Sequence, residues 1–103
     1  MAKTETITRP NPYYGNVIWK YLNIASKSTE SYDLPSAYTV STITVARAAG
    51  SGCSGIYQVD TWGGIVSIVP ATGITITKQS DSATVTISND NTFAVNAIFA
   101  YRV

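Results

Sequence analysis

The chain has 103 residues and a formal net charge of +1, from seven Lys and Arg against six Asp and Glu. That length fits one domain, and cations as scattered as Lys3, Arg9, Lys20, Lys27, Arg47, Lys78 and Arg102 argue against a nucleic-acid footprint. The absence of histidine removes the usual general base, the common zinc and copper ligand, and the Ser–His and Cys–His nucleophile pairs.

Residues 1–14 read as an arm: they are polar, TETIT at 4–8 has the letters of an edge strand, and Pro10 and Pro12 end any ladder there. NVIWKYLNI (16–24) has two partly apolar faces, so a short helix competes with a strand. Its β-branched and aromatic residues favour the strand. ASKSTESYDLPSA (25–37) reads as a polar connection, and YTVSTITVAR (38–47) as the clearest long strand. AAGSGCSG (48–55) reads as a flexible loop. IYQVDTW (56–62) alternates, with Ile56, Gln58, Asp60 and Trp62 on one face and Tyr57, Val59 and Thr61 on the other.

Gly63-Gly64 reads as a two-glycine hairpin turn with positive φ at both positions. GIVSIVP (64–70) has the length and apolarity of a buried strand. GITITK, SATVTIS and TFAVNAIFAYRV follow, separated by turns at 79–81 and 89–91. Val85 and Ile87 oppose Thr84, Thr86 and Ser88, while Phe93, Val95, Phe99 and Tyr101 oppose Asn96, Ile98 and Arg102. Abundant Thr, Ile, Val and Tyr, with Leu22 and Leu34 the only leucines, suit pleated and half-buried surfaces. The expected fold is all-β: a single-domain antiparallel β-sandwich (jelly-roll or Ig-like) of about seven or eight short strands over 15–103, with an extended N-terminal arm over 1–14.

GSGCSG at 50–55 matches the letters of a dinucleotide-binding turn. That turn needs a helix starting at its third glycine and an acidic residue about 20 positions on. Here an alternating strand follows Gly55, and ATGITITK carries no acid. The match is accidental and no cofactor is expected. Cys53 reads as an inert loop thiol that has no partner for an internal disulfide. Asp60, inside a strand beside Trp62, is the one acid of interest; most of the others sit in turns, so no carboxylate pair is assigned. SNDN (88–91) lacks the glycine and bidentate glutamate of a twelve-residue calcium loop and reads as a turn. No catalytic residue and no metal ligand is assigned, and the chain is not expected to be an enzyme.

The aromatics are the remaining candidates. Tyr13, Tyr14, Trp19, Tyr57 and Trp62 suit either subunit contacts or a platform for sugar rings, and contacts are the preferred reading. Tyr13 and Tyr14, beside Pro12 in a polar setting, lead that group. No apolar run approaches the roughly 20 residues that span a bilayer, and MAKTETITRPNP lacks the apolar core of a signal peptide.

From residue 38 onward, ITITKQSDSATVTISNDN followed by the terminal apolar strand FAVNAIFAYRV resembles the strand texture of small bacteriophage virion proteins. These are capsid decoration (cement) proteins and the tip domains of tail fibres. The resemblance covers about two-thirds of the chain and rests on no signature motif. It implies a homo-oligomer, a trimer first, that contacts other virion proteins such as the major capsid protein. It also implies synthesis in a host cytoplasm and residence in the virion, with no nucleic-acid or membrane partner. A fibre tip ordinarily closes a longer chain with a stem, and none precedes Met1 in this sequence, so decoration is the expected role. In it the arm would add a strand to a neighbour's sheet edge. The alternative is a tail-fibre receptor-binding or carbohydrate-binding module that offers loops 48–55, 60–64 and 88–92 to a surface glycan.

Overall fold

The computed structural model describes the backbone of residues 4–9 and, in full, residues 17–102. Nine strands are present among them: β1 (Thr4–Arg9), β2 (Val17–Ile24), β3 (Ser28–Asp33), β4 (Ser41–Arg47), β5 (Ser54–Val59), β6 (Ile65–Val69), β7 (Ile74–Thr77), β8 (Thr84–Asn89) and β9 (Val95–Arg102). They form two antiparallel sheets, a six-stranded one in the order β1-β2-β9-β4-β5-β6 and a three-stranded one in the order β3-β8-β7. This is the expected all-β sandwich, with eight strands in its body and β1 in the arm.

The last strand is the central one. β9 pairs with β2 from Val17↔Arg102 to Ile24↔Val95, and with β4 from Ser41↔Tyr101 to Arg47↔Val95. Its alternate residues Val95, Ala97, Phe99 and Tyr101 point inward and are buried. They meet Leu22 and Ile24 of β2, Ile43 and Val45 of β4, Tyr57 and Val59 of β5, and Val85 and Ile87 from the facing sheet. The period of two thus places one apolar row per strand in a single core. Tyr32 of β3 tilts over Phe99, with ring centroids 4.9 Å apart, and shares a 2.6 Å hydrogen bond with the Tyr101 hydroxyl, joining the two sheets.

Several local expectations are corrected. The polar stretch 25–37 contains β3, whose inward positions are Ser28, Glu30 and Tyr32. An edge strand lying over the margin of the core needs only Tyr32 to be apolar there. The long strand begins at Ser41 rather than at residue 38. β5 begins at Ser54, inside the stretch read as loop, and Gly55 belongs to it. A Cβ at Gly55 would stand 2.7 Å from the Val69 carbonyl oxygen, so the close approach of the β6 end requires glycine.

β6 is not buried. It is an edge strand with Val66, Ile68 and Val69 exposed, and the register shifts between Ile56 and Tyr57 leave Ile68 in a bulge. Cys53 lies in the β4–β5 loop, as expected, with its thiol buried against the core. At the hairpin turn only Gly63 has positive φ, at 82°. Asp60 is not in a strand: its Oδ1 accepts the Trp62 and Gly64 amides, each at 2.9 Å, and so shapes that turn.

The ends of the sandwich are tied by polar groups. Asn89, at the end of β8, is buried. Its Nδ2 donates to the carbonyls of Ile24 (3.3 Å), Ala25 (3.2 Å) and Phe93 (2.8 Å), and its Oδ1 accepts from the Asn91 amide at 3.0 Å. One side chain thereby holds the β2–β3 and β8–β9 connections together. At the opposite end Lys78 Nζ donates to the carbonyls of Ala37 (2.7 Å), Gly63 (2.8 Å) and Gln79 (3.2 Å).

Candidate functional site

The aromatic residues singled out in the sequence do not form one platform. Tyr13 and Tyr14 lie outside the described residues. Tyr57 points into the core at 4% exposure, and its hydroxyl accepts the Ala71 amide at 2.8 Å, so it is a packing residue rather than a surface contact. Trp19 lies on the outer face of the six-stranded sheet, 40% exposed. Trp62 projects from the β5–β6 turn at 82% exposure, remote from Trp19 in strand register.

Cross-strand register defines what surrounds Trp19. Residues opposite one another on neighbouring strands share a face. One row runs Trp19, Ala100, Thr42, Gln58, Val66, and the next runs Tyr21, Ile98, Thr44, Ile56, Val69. Ile56, Val66, Val69 and Ile98 are each exposed by a third or more. A third row pairs Asn23 with Asn96 through a 2.9 Å hydrogen bond. From β2 to β6 these rows carry no charged residue, while at the margins of the face Glu5 of β1 stands in register with Tyr21 and Arg102 stands opposite Val17. The middle of this outer face is therefore a continuous uncharged surface of aliphatic, aromatic, hydroxyl and amide groups, bounded by Glu5 and Arg102.

The facing sheet has a different exterior. Thr29 and Ser88 hydroxyls bond at 2.9 Å, Ser31 and Thr86 at 3.1 Å, and Thr84 Oγ1 donates to Asp33 at 2.6 Å. Thr75 and Thr77 of β7 continue those rows. This hydroxyl ladder suits water.

The three loops expected to act together are split between the two ends. Residues 48–53 and the β8–β9 turn meet at one end, where the Ala48 amide donates to the Ala94 carbonyl and the Arg47 guanidinium lies 4.1 Å from the Phe93 ring centroid. Loop 60–64 sits at the other end, tied through Lys78 to Ala37, the neighbour of Tyr38. Tyr38 is 59% exposed: the strand-like run 38–47 hides it in the sequence, whereas in the structure it lies in the loop before β4. Beside it an open hollow of about 700 Å³ is lined by Ser36, Thr39, Thr42 and Arg102 among others.

One titratable group is strongly perturbed. Burial pushes the Tyr32 hydroxyl well above the ordinary tyrosine range, and the Tyr101 hydrogen bond with the nearby Tyr101 and Asp33 charges pushes it the same way. The pair sits between the sheets, and its effect is on stability. No family model, curated protein or solved structure matches this chain.

Proposed function

We propose that the chain is a non-enzymatic structural protein of a virion that associates with copies of itself and with shell proteins, as the capsid decoration proteins it resembles do. The observation that supports this is the uncharged central part of the outer face of the six-stranded sheet, from β2 to β6, with Trp19, Ile56, Val66, Val69 and Ile98 presented to solvent together. An exposed apolar surface of this continuity marks a contact site, whereas scattered apolar residues do not. Cryo-electron microscopy and mass spectrometry of purified particles test the reading. Repeated copies on the shell lattice are expected. Particles lacking the chain, together with a purified chain that stays monomeric at millimolar concentration, overturn it.

A second reading has its own observation. Trp62 and Tyr38 are exposed at one end of the sandwich, where Lys78 fixes both loops. A fibre-type module would stack a glycan ring there. Titration with oligosaccharides is then expected to shift tryptophan fluorescence in the wild-type chain and not in Trp62→Ala.

A further inference from the structure

Each sheet has two edge strands, and the two sides of the sandwich treat theirs differently. β3 lies over β9, through Tyr32 on Phe99, so β7 falls on the side of β5 and β6, joined to β6 through residues 70–73. One side therefore carries the edges β1 and β3, and the other carries β6 and β7. The sequences of β1 and β3 include Glu5, Arg9, Glu30 and Asp33. From Trp62 to Thr77, which spans both β6 and β7, the chain has no Asp, Glu, Lys or Arg.

Charged residues on an edge strand keep other strands from adding to it, because pairing would bury them. The β1/β3 side has that protection and the β6/β7 side lacks it. Yet β6 is where the unused main-chain groups of the six-stranded sheet coincide with the most exposed aliphatic residues of its described side chains, Ile68 at 54%, Val69 at 47% and Val66 at 43%. Among the described residues no strand pairs with the outer side of β6.

We propose that β6 pairs with β6 of a second copy of this chain, antiparallel about a two-fold axis, extending the six-stranded sheet across both. This inference rests on the self-association proposed above and names its surface. The partner follows from charge, which excludes β1 and β3, and from exposed aliphatic surface, which β7 lacks because its exposed residues are Thr75 and Thr77. A copy offering β1 or β3 to this edge would bring acidic residues against an uncharged strand, whereas β6 against β6 buries no charge. The two-fold operator makes the contact self-complementary. The bulge at Ile68 and the following Pro70 limit the ladder to the start of the strand, so Val66 meets its own mate at the axis and Ile68 packs over the glycine turn of the second copy.

Analytical ultracentrifugation of the full chain over a concentration series tests this. An even number of copies is expected, with Ile68→Lys lowering the association constant at least tenfold and Thr29→Lys, on the protected β3 edge, leaving it unchanged. Amide exchange of β6 in the wild-type chain supplies a readout independent of any variant: protection of residues 65–67 is expected to rise with concentration while that of β3 stays constant. A trimer, or an oligomer indifferent to Ile68→Lys with β6 exchange independent of concentration, overturns the β6 contact and leaves self-association standing. A wild-type chain that is monomeric throughout overturns both.

Discussion

Replacing Asn89 by alanine tests whether one buried amide holds the end of the sandwich together. Its side chain is 2% exposed, so water does not substitute for what is removed. Two Nδ2 hydrogens serve three carbonyls, of which Phe93 is nearest at 2.8 Å, and Oδ1 serves the amide and the side chain of Asn91 at 3.0 Å each. Counted as three effective hydrogen bonds at about 1 kcal/mol each, the loss is about 3 kcal/mol, and carbonyls stranded in a dry interior raise it. A domain of this size has a total stability of about 5–15 kcal/mol, so the protein should still fold. Its melting temperature is expected to fall by about 12–24 °C in far-ultraviolet circular dichroism. Asn89→Asp separates hydrogen bonding from size. At neutral pH it sets a carboxylate against three carbonyl oxygens and should destabilise more than alanine does. Those surroundings raise the new group's folded pKa, so stability should recover as pH falls toward the unfolded value near 4. A shift below about 3 °C for Asn89→Ala, or no acid recovery for Asn89→Asp, refutes the assigned role.

Tyr32 makes stability sensitive to alkali. Because its folded pKa is raised, its contribution is whole below the unfolded tyrosine value near 10 and is lost as pH rises from there toward the folded value. Denaturation midpoints should therefore fall above pH 10, and more gently in Tyr32→Phe. Phe99→Ala empties the centre of the core, where Phe99 is fully buried on the central strand, and should cost about 3–5 kcal/mol in urea titrations. Lys78→Met frees three carbonyls at a partly exposed site and should cost about 1–2 kcal/mol, with faster amide exchange at residues 63 and 80.

Where an inward row is greasy and an outward row hydroxylated, the sequence is sufficient: β8, β7 and β9 lie where the alternation puts them, with Val85, Ile87 and Phe99 inside. The rule fails at the sheet edges, where burial depends on what lies opposite. β3 is hidden in STESYD because only Tyr32 has to reach the core. IVSIV suggests burial, yet in β6 it lies at an edge with one side open. Asp60 belongs to the period of the preceding strand by letter, but its carboxylate finds the Trp62 and Gly64 amides and makes a turn. Of the candidate contact residues, only Trp19 and Trp62 among the described ones are exposed. The face around Trp19 depends on strand register between segments as distant as residues 19, 56 and 98, which no local pattern encodes. The division of loops between the two ends is likewise a matter of topology.

The two outer faces also bear on how tightly copies would hold together. Trp19, Ile56, Val66, Val69 and Ile98 are each a third to a half exposed. Full burial of a large apolar side chain contributes about 1.5–3 kcal/mol, so covering what these five still expose yields about 3–7 kcal/mol. Bringing two rigid bodies together costs about 4–15 kcal/mol. The apolar face alone therefore sits near the break-even point, and the hydroxyl ladder of the other sheet, already satisfied between Thr29, Ser31, Thr84, Thr86 and Ser88, adds little. A second contact on the same molecule, such as the β6 edge, makes the next association effectively intramolecular and shifts the balance without requiring either surface to be strong by itself. Association should accordingly be steep in concentration, and weakening either the β6 edge or the Trp19 face should dissolve the assembly rather than shrink it by one contact.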